Sequence, residues 1–211
     1  MGIRVAITGG IGSGKSYFCK SLQKHGIEVF DCDASAKRLM RTLPSLKADL
    51  KRLIGKEVYV SGVLQKQILA QFLLINDTNK TAVNNLIHPA VAIDFEQSGL
   101  QWLESAIFFD SGFDRRVHVD KVVCVTAPLE VRIQRVMQRD GITRERTVEW
   151  IDRQLSQEEV LQRSDYEIVN DGTRNIDEQT NELLTKLIKC RMRKLRRRKR
   201  KFVKNWESLM K

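Results

Sequence analysis

The sequence predicts an α/β fold of the P-loop NTPase type: a parallel sheet flanked by helices, with a helical substrate-binding insert and an Arg-rich helical lid. Three observations predict it. Residues 9–16, Gly9-Gly10-Ile11-Gly12-Ser13-Gly14-Lys15-Ser16, match G-x-x-x-x-G-K-[ST] without a mismatch, between an apolar strand-like run and a helix-like run. Further short apolar runs alternate with helical spacings, as in sheets built from strand–helix–strand crossovers. Two stretches stand out from that alternation: a long helical insert and a later pair of helices rich in arginine.

The elements follow in order. Ile3–Thr8 reads as a buried strand. In the loop after it, glycines let the backbone curl so that amide N–H groups converge on a polyphosphate. Lys15 to His25 reads as a helix stopped by Gly26, whose positive end faces the same phosphates. The ATP-binding set is Gly10, Ile11, Gly12, Ser13, Gly14, Lys15, Ser16 and Tyr17, with Lys15 reaching the β- and γ-phosphates and the Ser16 hydroxyl ligating Mg²⁺. A dinucleotide fingerprint is disfavoured, because its third glycine would fall at Tyr17. Ile27–Phe30 is a second strand, followed by Asp31-Cys32-Asp33. Acids just past a strand end face the ligand crevice of such sheets. Asp33 reads either as a functional acid or as the N-cap of a helix over residues 34–41.

Pro44 opens the insert. Segments 45–54, 64–75 and 79–87 show helical apolar spacing, with a short strand possible at Glu57–Val60. His88-Pro89 closes it, and Pro89 is expected to start a helix running to about Glu104. Ser105–Asp110 reads as a strand ending in an acid, Asp110, placed for Mg²⁺ or its waters, or else as a turn residue. Lys121–Thr126 is the next buried strand. A helix from Pro128 carries Arg132, Arg135 and Arg139, and a second, Thr143–Gln154, carries Arg144, Arg146 and Arg153. These read as solvated faces or as a lid bringing guanidinium groups to transferring charge. Ser156 with Glu159 forms a capping box, Asp165–Val169 is the last strand, and Asn175 with Glu178 caps a final helix.

The expected organisation is one kinase-type domain over residues 1–188 and a basic extension over 189–211. Within the domain the core is about 1–32, 89–131 and 156–188, the insert about 33–88 and the lid about 132–155. The extension holds 12 Lys/Arg and one acid; taking these from the totals of 37 and 26 leaves 25 of each sign, so the body is formally neutral. The basic excess therefore belongs to the extension, where Leu195, Phe202, Trp206, Leu209 and Met210 fall at roughly helical spacing. That pattern suits contact with nucleic acid or an anionic membrane. No run approaches the ~20 apolar residues of a membrane span. The chain enters its first strand at once, so no signal peptide is expected. Cys19, Cys32, Cys124 and Cys190 lack metal or disulfide spacing, consistent with reduced thiols and a cytoplasmic location.

GTPase signatures are missing: no Asp has Gly three places on, and Asn79-Lys80-Thr81-Ala82 lacks the final acid. The Leu-Ser-Gly-Gly-Gln signature of transport ATPases is also missing. A small phosphotransferase fits: a short chain with a lid and a substrate subdomain. The alternatives are a nucleoside or nucleotide kinase of related architecture and a non-catalytic ATP-fold protein that binds polyanions.

Over residues 3 to about 188 the chain resembles the dephospho-coenzyme A kinase family. The resemblance is carried by Thr8–Ser16, by Val29-Phe30-Asp31-Cys32-Asp33-Ala34, by Leu86-Ile87-His88-Pro89-Ala90-Val91, by Gln134-Arg135 with Arg139, and by Ser164–Asn170. It implies phosphorylation of the ribose 3′-hydroxyl of dephospho-CoA by ATP with Mg²⁺, the last step of coenzyme A synthesis. It implies Asp33 as base, Lys15 and Ser16 on phosphate and Mg²⁺, Arg139 as a catalytic lid contact to ATP, and Asn170 at the adenine-side turn. Lys66, His88 and Asp110 join Asp33 on the substrate side. The chain departs from the family at Asp110, where Glu is usual, at Lys66, where Arg is common, and at Trp150, where an Arg usually precedes the glutamine four residues on.

Overall fold

The computed structural model describes residues 2–190 and residue 192. The expected parallel sheet is there. β1 (Val5–Thr8), β2 (Val29–Asp31), β5 (Trp102–Glu104), β6 (Lys121–Thr126) and β7 (Tyr166–Val169) lie in the order β2-β5-β1-β6-β7, all parallel. Side chains alternate between the faces, as the two-residue period of a strand requires. Val5 and Ile7 join Val123, Val125 and Ile168 on one face, under Phe18 and Leu22 of α1 (Lys15–Lys24) and Leu183 and Leu187 of the helical run 176–190. Ala6, Leu103 and Val122 face the other way. The chain leaves β1 towards β2 and later sets β6 on the opposite side of β1, making the C-terminal end of β1 a switch point where ligands bind.

The second face is covered by α2 (Cys32–Thr42), α3 (Pro44–Ile54) and α5 (Asp77–Ser98), whose Leu39, Leu46, Leu50 and Phe95 share one core with the sheet. A hairpin of β3 (Tyr59–Val60) and β4 (Val63–Leu64) precedes α4 (Lys66–Ile75). Of the short strand possible at Glu57–Val60, Tyr59 and Val60 form β3, while Glu57 and Val58 belong to one turn of 3₁₀ helix, Lys56–Val58, leading into it.

Two expectations are corrected. Pro89 does not start a helix; it lies inside α5, which ends at Ser98 before Gly99 in the left-handed region (φ 69°). Val83, Ile87, Val91 and Phe95 recur every fourth residue and are all buried. Burying each contributes ~1.5–3 kcal/mol, and together they outweigh the ~3 kcal/mol cost of an interior proline. The strand expected at Ser105–Asp110 is displaced: pairing is confined to Trp102–Glu104, and residues 106–112 form turns. Phe108 is fully buried, stacked edge-on against Phe109 and Phe113. The apolarity of that segment marks burial in an aromatic cluster, not pairing in the sheet.

The Arg-rich hairpin is α6 (Leu129–Asp140) and α7 (Arg144–Asp152), followed by α8 (Gln157–Gln162) with the expected Ser156–Glu159 capping box. Asn175 Oδ1 accepts from the Asp177 and Glu178 amides at the start of the helical run 176–190. Leu195, Phe202, Trp206, Leu209 and Met210 lie outside the described residues. Among the described residues, no helix is long and apolar enough to cross a membrane.

Candidate active site

The sheet register sets the site. Ile7 pairs with Glu104, and Asp31 pairs with Glu104 on its other side, so the loop after Thr8 emerges beside two carboxylates at the same sheet edge. In that loop Gly12 has φ 78°, and a Cβ there would come within 2.6 Å of the Arg132 carbonyl oxygen. Gly14 (φ 91°) is the N-cap of α1, which has no acid in its first turn, so the helix end stays positive towards an anion.

A cleft of about 1140 Å³ opens there. Ile11, Gly12, Gly14, Lys15, Ser16 and Tyr17 line the loop side; Asp31, Asp33 and Glu104 line the facing wall; Arg135, Arg139 and Asn170 close a third side. Gly10 and Ser13 lie behind this lining, and Ser13 is fully buried. Lys15 Nζ donates to the Gly9 carbonyl at 2.8 Å and stands 3.8 Å from Glu104 Oε1. Burial pushes the Lys15 pKa down, with Glu104 and then Asp33 pulling it back. Burial pushes the Glu104 carboxyl up to about 7; Lys15 opposes that, and Asp33 and Asp31 reinforce it. Glu104 was not among the expected site residues. Its signal was an acid after Trp102-Leu103, hidden because the apolar run 105–109 looked the better strand.

The raised Glu104 pKa has a stability consequence. A carboxyl harder to ionise in the folded state leaves the fold at full stability below about pH 4.5, and stability is lost as pH rises through about 7. Glu104→Gln removes that penalty. Its melting temperature is expected to match the parent near pH 4.5 and to exceed it by a few degrees at pH 8, measured by thermal unfolding across that range. A constant difference over the range would contradict the assignment.

Asp31 and Asp33 divide their roles differently from the reading that made Asp33 an N-cap. Asp31 is the N-cap of α2: its Oδ1 accepts from the Ala34 amide at 2.8 Å. Asp33 sits one position into α2, exposed, and its carboxylate accepts no hydrogen bond among the described residues. A 40 Å³ cavity connects Asp33 to His88, Cys32 and Ser105. His88 Nδ1 is buried without a partner, and its ring meets Phe113 edge-on at 5.4 Å between centroids. Burial, then Arg116, holds the His88 pKa down to about 4, so it is neutral at pH 7.

Other candidates lie elsewhere. Asp110 is outside the cleft and accepts from the Leu155 amide at 2.6 Å, tying the turn after β5 to the segment between α7 and α8. Lys66 borders a separate apolar groove. Of the arginines, Arg132 is buried and donates to the Ile11 carbonyl at 2.9 Å. Arg135 reaches the Gly12 and Ser13 carbonyls and Asn170 Oδ1 at 3.3–3.4 Å. Asn170 is buried and donates to the Ser13 carbonyl at 2.9 Å. Arg139 is more exposed and pairs bidentately with Asp140. Arg144 pairs with Glu130, and Arg146 and Arg153 with Glu149; such surface pairs contribute only ~0–1 kcal/mol. Gln154 was also not among the expected site residues, yet its Oε1 accepts from the Ile11 amide at 2.7 Å.

The donors on the cleft are hard oxygens: the Ser16 hydroxyl and the carboxylates of Asp31, Asp33 and Glu104. No cluster of three or more His, Cys, Asp or Glu forms a metal cage among the described residues. That donor set fits Mg²⁺, which keeps waters and shares substrate phosphates, better than a metal needing an all-protein cage.

Comparison with known proteins points one way. The family model described as dephospho-CoA kinase matches residues 3–175. A dephospho-CoA kinase of Bacteroides fragilis is 38% identical over 191 residues, covering 87% of this chain and 92% of its own length. A Thermus thermophilus protein, TT1252, superposes with a TM-score of 0.75 at 32% identity, over 87% of this chain and 96% of its own. The dephospho-CoA kinase of Campylobacter jejuni shares the fold, with a TM-score of 0.61 at 21% identity over 90% of this chain and all of its own.

Proposed function

The chain belongs to the dephospho-CoA kinase family, and from that membership we propose that it transfers the γ-phosphoryl group of ATP to the ribose 3′-hydroxyl of dephospho-CoA, giving CoA and ADP. The observation that carries this reading is the single cleft in which the phosphate loop with Lys15 faces Asp33. Phosphoryl transfer is mostly positioning and charge stabilisation, and the cleft supplies both. Loop amides and the end of α1 hold the phosphates of ATP. Lys15 leaves the Gly9 carbonyl for the β- and γ-phosphate oxygens. Arg139, with Arg135 behind it, meets the charge that develops on the transferring group, and Asn170 braces the loop from the adenine side. Asp33, exposed and unbonded, takes the proton from the attacking hydroxyl, and neutral His88 borders the acceptor pocket behind it. The Ser16 hydroxyl would hold Mg²⁺, with Asp31 reaching its waters. The ion, when bound, supplies charge neutralisation on the phosphates.

A coupled ATP-consumption assay across dephospho-CoA, nucleosides and nucleotides tests the acceptor. Dephospho-CoA is expected to give by far the highest kcat/KM, with phosphorus NMR placing the new phosphate on the 3′-oxygen. Preference for a nucleoside or nucleotide would replace this reading. A cytoplasmic setting is supported by Cys19, Cys32, Cys124 and Cys190, all of which are free thiols with no disulfide between them. The basic extension is proposed to bind polyanions apart from catalysis. Deleting residues 190–211 is expected to leave turnover intact and to weaken retention on heparin and on anionic liposomes. Equal retention of the two forms would refute it.

A further inference from the structure

The α6–α7 hairpin grips one residue of the phosphate loop from both of its ends. From α6, Arg132 Nε donates to the Ile11 carbonyl at 2.9 Å. From just past α7, Gln154 Oε1 accepts from the Ile11 amide at 2.7 Å. A backbone N–H can only donate, so the Gln154 atom on Ile11 is its oxygen, and that bond fixes which way the side-chain amide lies. Gln154 Nε2, with two protons, donates to no group among the described residues, and the side chain lines the nucleotide cleft. The neighbouring chain holds it there: the Leu155 amide donates to Asp110 Oδ1 at 2.6 Å, and Gln157 Oε1 accepts from the Ala127 amide at 3.1 Å. The arginines of α7 do not reach the cleft; Arg144 pairs with Glu130, and Arg146 with Glu149. Among residues 143–157, all of them described, only Gln154 lines it.

We propose that Gln154 is a further catalytic residue of the phosphoryl transfer: Oε1 stays on the Ile11 amide while Nε2 donates to the γ-phosphoryl group. The inference rests on the reading of the protein as an ATP-dependent kinase. In that reaction the acceptor oxygen bonds to phosphorus as the bond from phosphorus to the β–γ bridging oxygen breaks. ADP leaves with that electron pair, and Asp33 takes the hydroxyl proton. Charge spreads over the three equatorial oxygens of the group in transfer, and donors aimed at them lower the barrier. Lys15 supplies a cation from the end of the loop; Gln154 supplies a neutral donor beside the loop's third residue. The side chain is suited to the task because it is already held, by Ile11 through its oxygen and by Asp110 through the next residue, so donation costs no reorganisation at the moment of reaction. The bond from the Ile11 N–H also polarises the amide and strengthens Nε2 as a donor. An uncharged group does so without depressing the basicity of Asp33 in the same cleft.

Substitutions at this one position separate donation to the phosphate from bracing of the loop. Gln154→Glu keeps an acceptor for the Ile11 amide but has no proton to give and sets a negative charge against the phosphate. Gln154→Ala loses both functions, and Gln154→Met, of similar volume and without an N–H, serves if the alanine variant does not fold. Gln154→Ala is expected to lower kcat by about tenfold to a hundredfold, the range up to the loss of one aimed donor, and Gln154→Glu to lower it at least as far. The affinity of Gln154→Ala for ADP, measured by calorimetry, is expected to stay within about threefold of the parent, because ADP lacks the γ-phosphoryl group. Parental kcat in Gln154→Glu, or ADP affinity falling in step with kcat in Gln154→Ala, assigns Gln154 to bracing alone and overturns the proposal. So does a Gln154→Ala enzyme within about threefold of parental kcat. These outcomes are read on whichever acceptor the parent phosphorylates, so they stand apart from the choice of dephospho-CoA as acceptor. A parent that transfers phosphate from ATP to no acceptor overturns this inference and the kinase reading together.

Discussion

Lys15→Ala is expected to reduce kcat by about 10³-fold or more while the protein remains folded. Removing one preorganised donor aimed at transition-state charge typically costs ~10²–10³ in rate, and the Lys15 ammonium stands inside the phosphate loop on the wall of the cleft. The fold should survive, because the Lys15 ammonium is bonded to a loop carbonyl and faces an acid at the cleft. The cation lost from beside Glu104 leaves a buried carboxyl that burial already pushes towards protonation, so it can neutralise itself instead of unfolding the site. Circular dichroism and steady-state turnover on the same sample decide the matter. A folded variant with near-parental turnover would remove Lys15 from the chemistry.

Asp33→Asn is expected to lower kcat by about 100-fold or more, with KM for ATP little changed. A positioned carboxylate acting as base typically contributes ~10²–10⁴-fold, and the amide keeps the shape without the basicity. The structure sharpens this experiment. The cap of α2 rests on Asp31, so Asp33→Asn keeps the cap and loses only a first-turn charge, and its melting temperature should fall less than that of Asp31→Ala. Removing a cap costs about 1 kcal/mol, so Asp31→Ala should be the destabilising change of the two. If Asp31→Asn abolishes turnover while Asp33→Asn stays within a few-fold, the base is Asp31.

The parts of the molecule legible beforehand were those encoded locally. The phosphate loop is one contiguous motif whose glycines, lysine and serine each have a physical task in place, so its position after a strand and before a helix could be read directly. The capping box at Ser156 and the strand Lys121–Thr126 were legible for the same reason. Where apolar residues served a distant partner, local reading misplaced them. Phe108 looked like a strand residue and is the buried centre of an aromatic cluster; Pro89 looked like a helix start and is carried inside α5 by four buried side chains.

By itself, then, the sequence determined the fold class, the phosphate loop and the family resemblance, because each rests on short-range chemistry: glycine conformations, helix ends and hydrophobic period. Only the tertiary structure decided which acids and bases share the cleft. Glu104 stands beside Lys15 because β5 pairs with β1 at a particular register, from 89 residues further along the chain. Arg132 and Gln154 hold Ile11, and Asn170 holds Ser13, for the same kind of reason. Asp110 faces the Leu155 amide, away from the phosphates, because the chain turns after Glu104 and does not extend. Sheet register and loop direction are set by the packing of the whole chain, and a pattern along the sequence carries neither.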